Sequence, residues 1–505
     1  MGNNWLPLRS GTYIRGCAAA AEGRQVTLNE TLAERLGYAF ALWLGKRLDT
    51  TPDKLTIAVG HDSRQSGEPL SQALIKGLTC ADSDVYDCAL CTTPALVLTT
   101  TNPDAHADAA VMVTGSHQAW YMNGFKFFTR DGALTGEDVD EILLMAQQVT
   151  PPQRLVTRLD ALEMYRASLV DMVGQWLETD ARCPLLGLYV VVDAGGGAGG
   201  FYAGLLSELG ADVTGSINLS PDGRFQAHAP DPQSPDALEA ISRAVLENEA
   251  DLGVIFDADC DRAAIVDQNG RPIARNRLIA LASAILLEDE PGATIVTDSV
   301  TSSGLNRFIT EWGGAHYRFK RGSRNVISEA VRLNEEGINC PLAMETSGHA
   351  ALRENHFIDD GMYLVTLLLC EAVKRKRDGL TLSSLIDELM EPVESVEIRM
   401  NLLGDARASA QSVIEAILSN TLSNSAWHLA RDNREGVRIS FDLDGGVENA
   451  WFQLRLSVHD PVMPLNAESD VPGGVKRMLS ELYELLRGRP ELDLTPLSAA
   501  LESMA

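Results

Sequence analysis

The chain has 505 residues, 45% of them apolar and 22% charged, with 70 acidic against 42 basic side chains and a formal charge of −28. That length exceeds what one hydrophobic core organises, so three to four domains of roughly 100–150 residues are expected. The acidity argues against nucleic acid or anionic membranes as partners, and no run of about 18 uncharged apolar residues suggests a membrane span.

An anionic ligand must therefore meet a local cluster of Arg and Lys. The eight cysteines are scattered, and the close pair Cys88 and Cys91 has no second pair to complete a zinc site, so they read as reduced core thiols. The N-terminal MGNNWLPLRSGTYIRG has neither the apolar core of a secretory signal nor a long Ser/Arg-rich transit stretch. The expected location is cytoplasmic, or organellar if a transit peptide has been removed.

In chain order, KLTIAVGHDSRQSGEPLSQALIKGL (Lys54 to Leu78) is a short apolar strand, a small-residue turn and an amphipathic helix. Next, VMVTGSHQAWYMNGFKFF places Ser116 and His117 at the end of an apolar strand, ahead of Lys126. A hydroxyl there, with a base or cation close by, is how a nucleophile is presented, although a lone Thr-Gly-Ser-His is also a common capped turn. The strand, turn and helix recur at Leu186 to Gly210 and at Ala293 to Gly314.

The apolar run LGVIF feeds directly into DADCDR, where Asp257, Asp259 and Asp261 alternate. Three carboxylates spaced by single residues on such a loop converge on one hard cation, and oxygen ligands suit Mg²⁺ better than zinc. A calcium EF-hand would need Gly and Glu where Arg262 and Gln268 stand. Further on, AMETSGH alternates Glu345, Ser347 and His349, a pattern that suits reading successive hydroxyls of a sugar or, equally, capping a helix. After about Pro392 the chain reads as alternating strands around helices. There, Arg455, Ser457 and His459 alternate before Asp460-Pro461, a nest for a phosphate dianion or an edge strand ending in a turn.

The fold class expected is α/β: three similar α/β domains with mixed or parallel sheets, plus a C-terminal α+β domain, around a central cleft. Boundaries are expected at 1–155 (nucleophile loop), 156–270 (metal loop), 271–393 (sugar loop) and 394–505 (phosphate-binding domain).

Taken in this order, the four motifs resemble the α-D-phosphohexomutase superfamily, especially its phosphomannomutase/phosphoglucomutase branch. SGTYIRG (Ser10 to Gly16), GHDSRQSG (Gly60 to Gly67), HAPDPQSPDAL (His228 to Leu238) and FKRGSRNV (Phe319 to Val326) are similar to further segments of that family. The resemblance implies that Ser116 is a phosphoserine, and that Asp257, Asp259, Asp261 and a phosphoserine oxygen hold one Mg²⁺ per chain. It implies that Arg15 and Arg262 line the transferring group and that Lys126 or His349 is the general acid or base. Glu345 and Ser347 would bind sugar hydroxyls, with Lys320 and Arg324 as further substrate contacts, and Arg455, Ser457 and His459 would grip the non-reacting phosphate.

The activity implied is interconversion of hexose 1-phosphate and hexose 6-phosphate of mannose, glucose or both, through hexose 1,6-bisphosphate as intermediate and activator. The partners implied are hexose phosphates, for a monomer or dimer. Departures from the family pattern are Gly115, Gln118 and Ala119 around the serine, and Val458-His459-Asp460 near the C-terminus, where the longer tail is similar to a plant-type variant. The competing readings are a sugar phosphatase, in which water reaches the phosphoserine, and a non-catalytic sugar-phosphate-binding paralogue.

Overall fold

The computed structural model describes residues 4–21, 23–151, 157–457 and 460–504. The chain divides into two compact units, Met1–Leu278 with Ser347–Ser384, and Ile279–Thr346 with Leu385–Ala505.

The first unit opens with β1 (Tyr13–Cys17), α1 (Glu30–Arg47), β2 (Thr56–His61), α2 (Gly67–Cys80), β3 (Asp84–Leu90), α3 (Thr93–Thr101), β4 (Ala109–Val113) and β5 (Met122–Thr129). Within one sheet the order is β1-β5-β4-β2-β3. The strand β2 runs parallel to β3 and β4, while β5 runs antiparallel to β4 and β1. All five residues of β4, AAVMV, are buried, as a strand covered on both faces requires. Asn29 caps α1 by accepting from Leu32 N, and the helix lays Phe40 on the sheet with its ring 4.9 Å from that of Phe127. Phe40 is fully buried, so truncating it to Ala would cost about 3–5 kcal/mol.

The same unit continues with α4 (Ala161–Trp176), β6 (Val190–Asp193), α5 (Phe201–Glu208), α6 (Pro235–Asn248), β7 (Leu252–Phe256) and β8 (Ala263–Asp267). Here β7 pairs parallel with β6 and antiparallel with β8. Ser234 caps α6 with Pro235 just inside the helix, and Ile241 and Val245 on its apolar face pack on Val191, Ile255 and Ala264.

The second unit contains β9 (Thr294–Thr297), α7 (Ser303–Glu311), β10 (Ala315–Arg318), α8 (Ser323–Glu335) and β11 (Leu342–Met344), with β9 parallel to both β10 and β11. It ends with β12 (Glu394–Asn401), α9 (Ala406–Thr421), β13 (Val437–Phe441), β14 (Ala450–Leu454), β15 (Val462–Ser469) and α10 (Gly474–Leu486). These strands are ordered β12-β15-β14-β13, all antiparallel. Val475, Met478, Leu479, Leu482 and Leu486 give α10 one buried stripe, which shares a core with Trp427, Phe441 and Phe452.

The expected strand–turn–helix pieces are thus β2/α2, β6/α5 and β9/α7, and the last segment is the expected α+β arrangement. Among the described residues no helix is long and apolar enough to cross a membrane.

Candidate active site

The strand β4 delivers its chain to Ser116 at its carboxyl end, where open α/β sheets present functional groups. Ser116 is fully buried and sits at φ +53, a left-handed conformation that costs a non-glycine residue about 1–2 kcal/mol. The turn is held by Thr114, whose Oγ1 accepts from Ser116 N at 2.8 Å and donates to Asp62 Oδ2 at 2.7 Å. Ser116 Oγ in turn donates to Asp257 Oδ2 at 3.1 Å, and His117 Nδ1 lies 3.4 Å from the same hydroxyl.

The buried strand β7 carries the carboxylates. Asp257, Asp259 and Asp261 are buried, and one oxygen from each lies within 4.8 Å of the others. The loop is seated by the glycine turn after β6: Ala198 N donates to Ala258 O at 2.9 Å, and a Cβ on Gly197 would fall 2.7 Å from the Ala258 backbone. Glycine is therefore needed there for close approach, which accounts for part of the DAGGGAGG run without any ligand. Lys126 Nζ bridges Asp259 Oδ2 at 2.8 Å and Asp261 Oδ2 at 2.6 Å. Burial opposes its charge, but Asp259 and Asp261 lift its pKa above the ordinary lysine range.

Burial, followed by the charges of Asp261 and Asp259, pushes the Asp257 carboxyl well above the usual carboxylate range. Burial opposes the Asp261 charge too, but Lys126, His349 and Arg262 hold that carboxyl well below the usual range, so Asp257 is the member of the trio left short of positive charge. Asp259 Oδ1 and Asp261 Oδ1 are buried with no hydrogen-bond partner among the described residues. An oxygen-only set with unsatisfied acceptors fits a hard dication such as Mg²⁺.

Further cationic and imidazole groups stand beside the same carboxylates. Arg262 follows the carboxylate loop, with Nε 3.9 Å from Asp257 Oδ2 and 3.2 Å from His349 Nε2. His349 lies 3.6 Å from Asp261 and 3.8 Å from Asp359, and its Nδ1 is 2.9 Å from Ser347 Oγ. Arg262, then burial and Arg15, hold the His117 imidazole far below its ordinary range, so that ring is neutral. Burial and Arg262 likewise lower the Arg15 pKa, which places Arg15 in the same field. The unit therefore brings together Ser116, Lys126, the Asp trio, Arg262, His349, Ser347 and Arg15.

In the second unit, Glu345 follows β11 and accepts from Gly322 N at 2.6 Å. Arg455 is buried; its Nε stands 4.0 Å from Glu435 Oε2 and has no hydrogen-bond partner among the described residues. Burial, followed by the charge of Arg321, lowers the Arg455 pKa. Arg321 itself is 3.9 Å from Asp298, whose carboxyl burial raises to about 6 against the pull of Arg321. Two guanidiniums in one field make a candidate seat for an anion.

Strand β14 ends at Leu454, but its register against β15 continues, with Arg455 N donating to Pro464 O at 3.3 Å and Ser457 N to Val462 O at 2.9 Å. Arg455 and Ser457 thus stand two residues apart in one register against β15, with the spacing expected of alternating positions. His459 lies outside the described residues. Of the loop Phe319 to Val326, Lys320 is exposed with Nζ 6.0 Å from the Phe319 ring centroid, and Arg324 is half-buried on α8.

Residues 13–150, 168–270 and 274–393 match domains I, II and III of the phosphoglucomutase/phosphomannomutase family, each described as alpha/beta/alpha. A phosphomannomutase/phosphoglucomutase from Pseudomonas putida is 30% identical over 463 residues, covering 90% of this chain and 93% of that protein. The chain belongs to the phosphoglucomutase/phosphomannomutase family.

A phosphoglucosamine mutase from Ligilactobacillus salivarius is 31% identical over 446 residues, covering 87% of this chain and 94% of that protein. Among solved structures, a phosphoglucomutase/phosphomannomutase family protein from Burkholderia thailandensis superimposes with a TM-score of 0.79 at 25% identity, covering 96% of this chain and 98% of that one. The names of these family members span several sugars.

Sequence reading passed over Arg64, Thr93 and Arg321 as site residues. Thr93, the first residue of α3 after the Thr92 cap, donates Oγ1 to Asp259 Oδ2 at 2.5 Å. Its signal was only a Thr-Thr-Pro helix start, whereas Arg64 sits inside the GHDSRQSG segment already singled out.

Proposed function

We propose that this chain interconverts hexose 1-phosphate and hexose 6-phosphate of glucose, mannose or both, with Ser116 as the phosphate carrier. The observation that carries this reading is Ser116 Oγ hydrogen-bonded to Asp257 within a buried trio of carboxylates, with Lys126, Arg262 and His349 alongside. Phosphoryl transfer asks for in-line positioning and neutralised charge, which this grouping is suited to give.

In the proposed step a sugar hydroxyl attacks the phosphorus on Ser116, the bond from phosphorus to Ser116 Oγ breaks, and hexose 1,6-bisphosphate forms. The hydroxyl proton would pass to His349 as general base, with Lys126, kept charged against burial by Asp259 and Asp261, as the candidate general acid that returns a proton to the leaving oxygen. Transfer of the other phosphate back to Ser116 releases the isomeric monophosphate and restores the enzyme. Arg15 and Arg262 would face the moving phosphoryl group, and Glu345 and Ser347 the sugar hydroxyls. Arg455, Ser457 and His459 would hold the second phosphate, with Lys320 and Arg324 as outer contacts.

One Mg²⁺ would be held by Asp257, Asp259, Asp261 and a phosphoserine oxygen, and when bound it supplies charge neutralisation at the phosphoryl group. The functional domains proposed are 1–155, 156–270, 271–393 and 394–505, in a cytoplasmic monomer or dimer whose partners are hexose phosphates.

The test is a coupled assay with Mg²⁺ and a trace of hexose 1,6-bisphosphate, using glucose 1-phosphate, mannose 1-phosphate and glucosamine 1-phosphate in turn. Hexose 6-phosphate should form from glucose or mannose without stoichiometric inorganic phosphate. Release of inorganic phosphate with no 6-phosphate, or no product from either sugar, would overturn the reading.

A further inference from the structure

The turn between β2 and α2 sends a buried guanidinium into the loop that carries Ser116. The Arg64 side chain is fully buried, and all five of its N–H donors find oxygen. Nε donates to Asp62 Oδ2 at 2.9 Å, Nη1 to Ala119 O at 2.7 Å and Met122 O at 2.9 Å, and Nη2 to Ser116 O at 2.5 Å and Gln118 O at 2.8 Å. Four carbonyls of one loop, including that of Ser116 itself, therefore converge on a single planar cation.

Asp62 holds both ends of this device. It accepts Arg64 Nε and Thr114 Oγ1, and Thr114 Oγ1 accepts the Ser116 N–H. The backbone N–H and C=O of Ser116 are thus both fixed by one Asp62–Arg64–Thr114 network, at a residue whose φ of +53 would otherwise relax. The opposite face of the guanidinium lies 4.9 Å from the Phe225 ring centroid, and Ser63 Oγ donates to Gly196 O at 2.7 Å, so the turn is also tied to the β6–β8 part of the unit.

Gly115 completes the arrangement. A Cβ there would fall 2.6 Å from Arg64 Cζ and 2.8 Å from Nε. The guanidinium cannot yield without losing several of its five hydrogen bonds.

We propose that Arg64 is a positioning residue for phosphoryl transfer, fixing the Ser116 loop through its five N–H groups, and that Gly115 is required because its missing side chain leaves room for that guanidinium. The proposal rests on Ser116 being the phosphate carrier. A lysine has three rotatable donors and cannot span four carbonyls in one plane, so Arg64→Lys keeps the charge and loses the geometry.

The experiment compares wild type, Arg64→Lys, Gly115→Ala and the double variant, each with Mg²⁺ and hexose 1,6-bisphosphate, for kcat, KM and phosphate on the Ser116 peptide. Each single variant should keep phosphate on Ser116 and a KM within about twofold, while kcat falls by about a hundredfold, as for a misplaced reacting group. In the Arg64→Lys background, Gly115→Ala should cost at least about tenfold less in kcat than it does in wild type, because residues in contact do not act independently.

Unchanged kcat in Arg64→Lys, or losses that simply multiply in the double variant, would overturn the proposal while leaving Ser116 as carrier. No phosphate on Ser116 in the wild type would instead remove the reading beneath it. If Arg64→Lys does not fold, Gly115→Ala alone decides: a lowered kcat with KM retained supports the proposal, and an unchanged kcat refutes it.

Discussion

Replacing Lys126 by methionine keeps the length and apolar stem of the side chain but removes the charge between Asp259 Oδ2 at 2.8 Å and Asp261 Oδ2 at 2.6 Å. Both carboxylates and the lysine are almost wholly buried, so this is a buried ion pair losing one partner, a change that costs about 3–5 kcal/mol. The remaining cations do not replace it, since Arg262 stands 3.9 Å from Asp257 and His349 is 3.6 Å from Asp261. At about 2 °C per kcal/mol for a large folded body, the melting temperature in EDTA should drop by about 6–10 °C.

A dication bound to the same carboxylates supplies the missing charge. Because Lys126 repels a dication from these carboxylates, the variant should bind Mg²⁺ more tightly than wild type, and in excess Mg²⁺ each tenfold difference in Kd narrows the deficit by about 1.4 kcal/mol. The assay is thermal denaturation of wild type and Lys126→Met, each in EDTA and in saturating Mg²⁺. The deficit of the variant should be largest in EDTA and shrink in Mg²⁺. A deficit below about 1 kcal/mol in EDTA, or one that Mg²⁺ leaves unchanged, would refute the account of these carboxylates as an under-neutralised cation site.

Two further predictions concern the second unit. Glu468 is buried beneath Trp451, whose Nε1 donates to it at 3.1 Å, and burial, opposed by Arg438, raises its pKa from 4.5 to about 7. The folded state therefore binds a proton that the unfolded state has released, so stability falls as pH rises from about 4.5 to 7 and is flat above that. Glu468→Gln should remove up to about 3 kcal/mol of that dependence, measured as the difference in unfolding free energy between variant and wild type across the window. An unchanged pH slope would contradict the assignment. Arg455→Ala should raise KM for hexose 1-phosphate by about tenfold or more, the worth of a charge-assisted hydrogen bond, with partial rescue by added hexose 1,6-bisphosphate. An unchanged KM would make Arg455 a structural residue.

The parts of the fold that could be read in advance were those in which local pattern and tertiary role agree. Continuous apolar runs such as AAVMV and LGVIF could only be covered strands, and the Ser/Gly/Pro turns after β2 and before α6 supplied their own helix starts. The Asp trio was legible for the same reason, because single-residue spacing at a strand end makes convergence a local property. Arg64 was not legible as a positioning residue, since its oxygen partners lie at 116, 118, 119 and 122, more than fifty residues away. The choice among Lys320, Arg321 and Arg324 was hidden too. Gly322, at φ +114, turns the chain between Arg321 and α8, and this leaves Arg321 toward Asp298 and Lys320 exposed. The spacing of Arg455 and Ser457 is again a local property, since both keep the register of β14 against β15 through bonds to Pro464 O and Val462 O.

The central claim is that phosphate passes through Ser116, and the measurement that tests it most directly is peptide mass spectrometry on protein incubated with Mg²⁺ and hexose 1,6-bisphosphate. One phosphate should lie on the peptide containing Ser116 and disappear when hexose 1-phosphate is turned over without bisphosphate. Ser116→Ala should carry none and be inactive. Full activity in Ser116→Ala, or stoichiometric phosphate on another residue of the active wild type, would contradict the account.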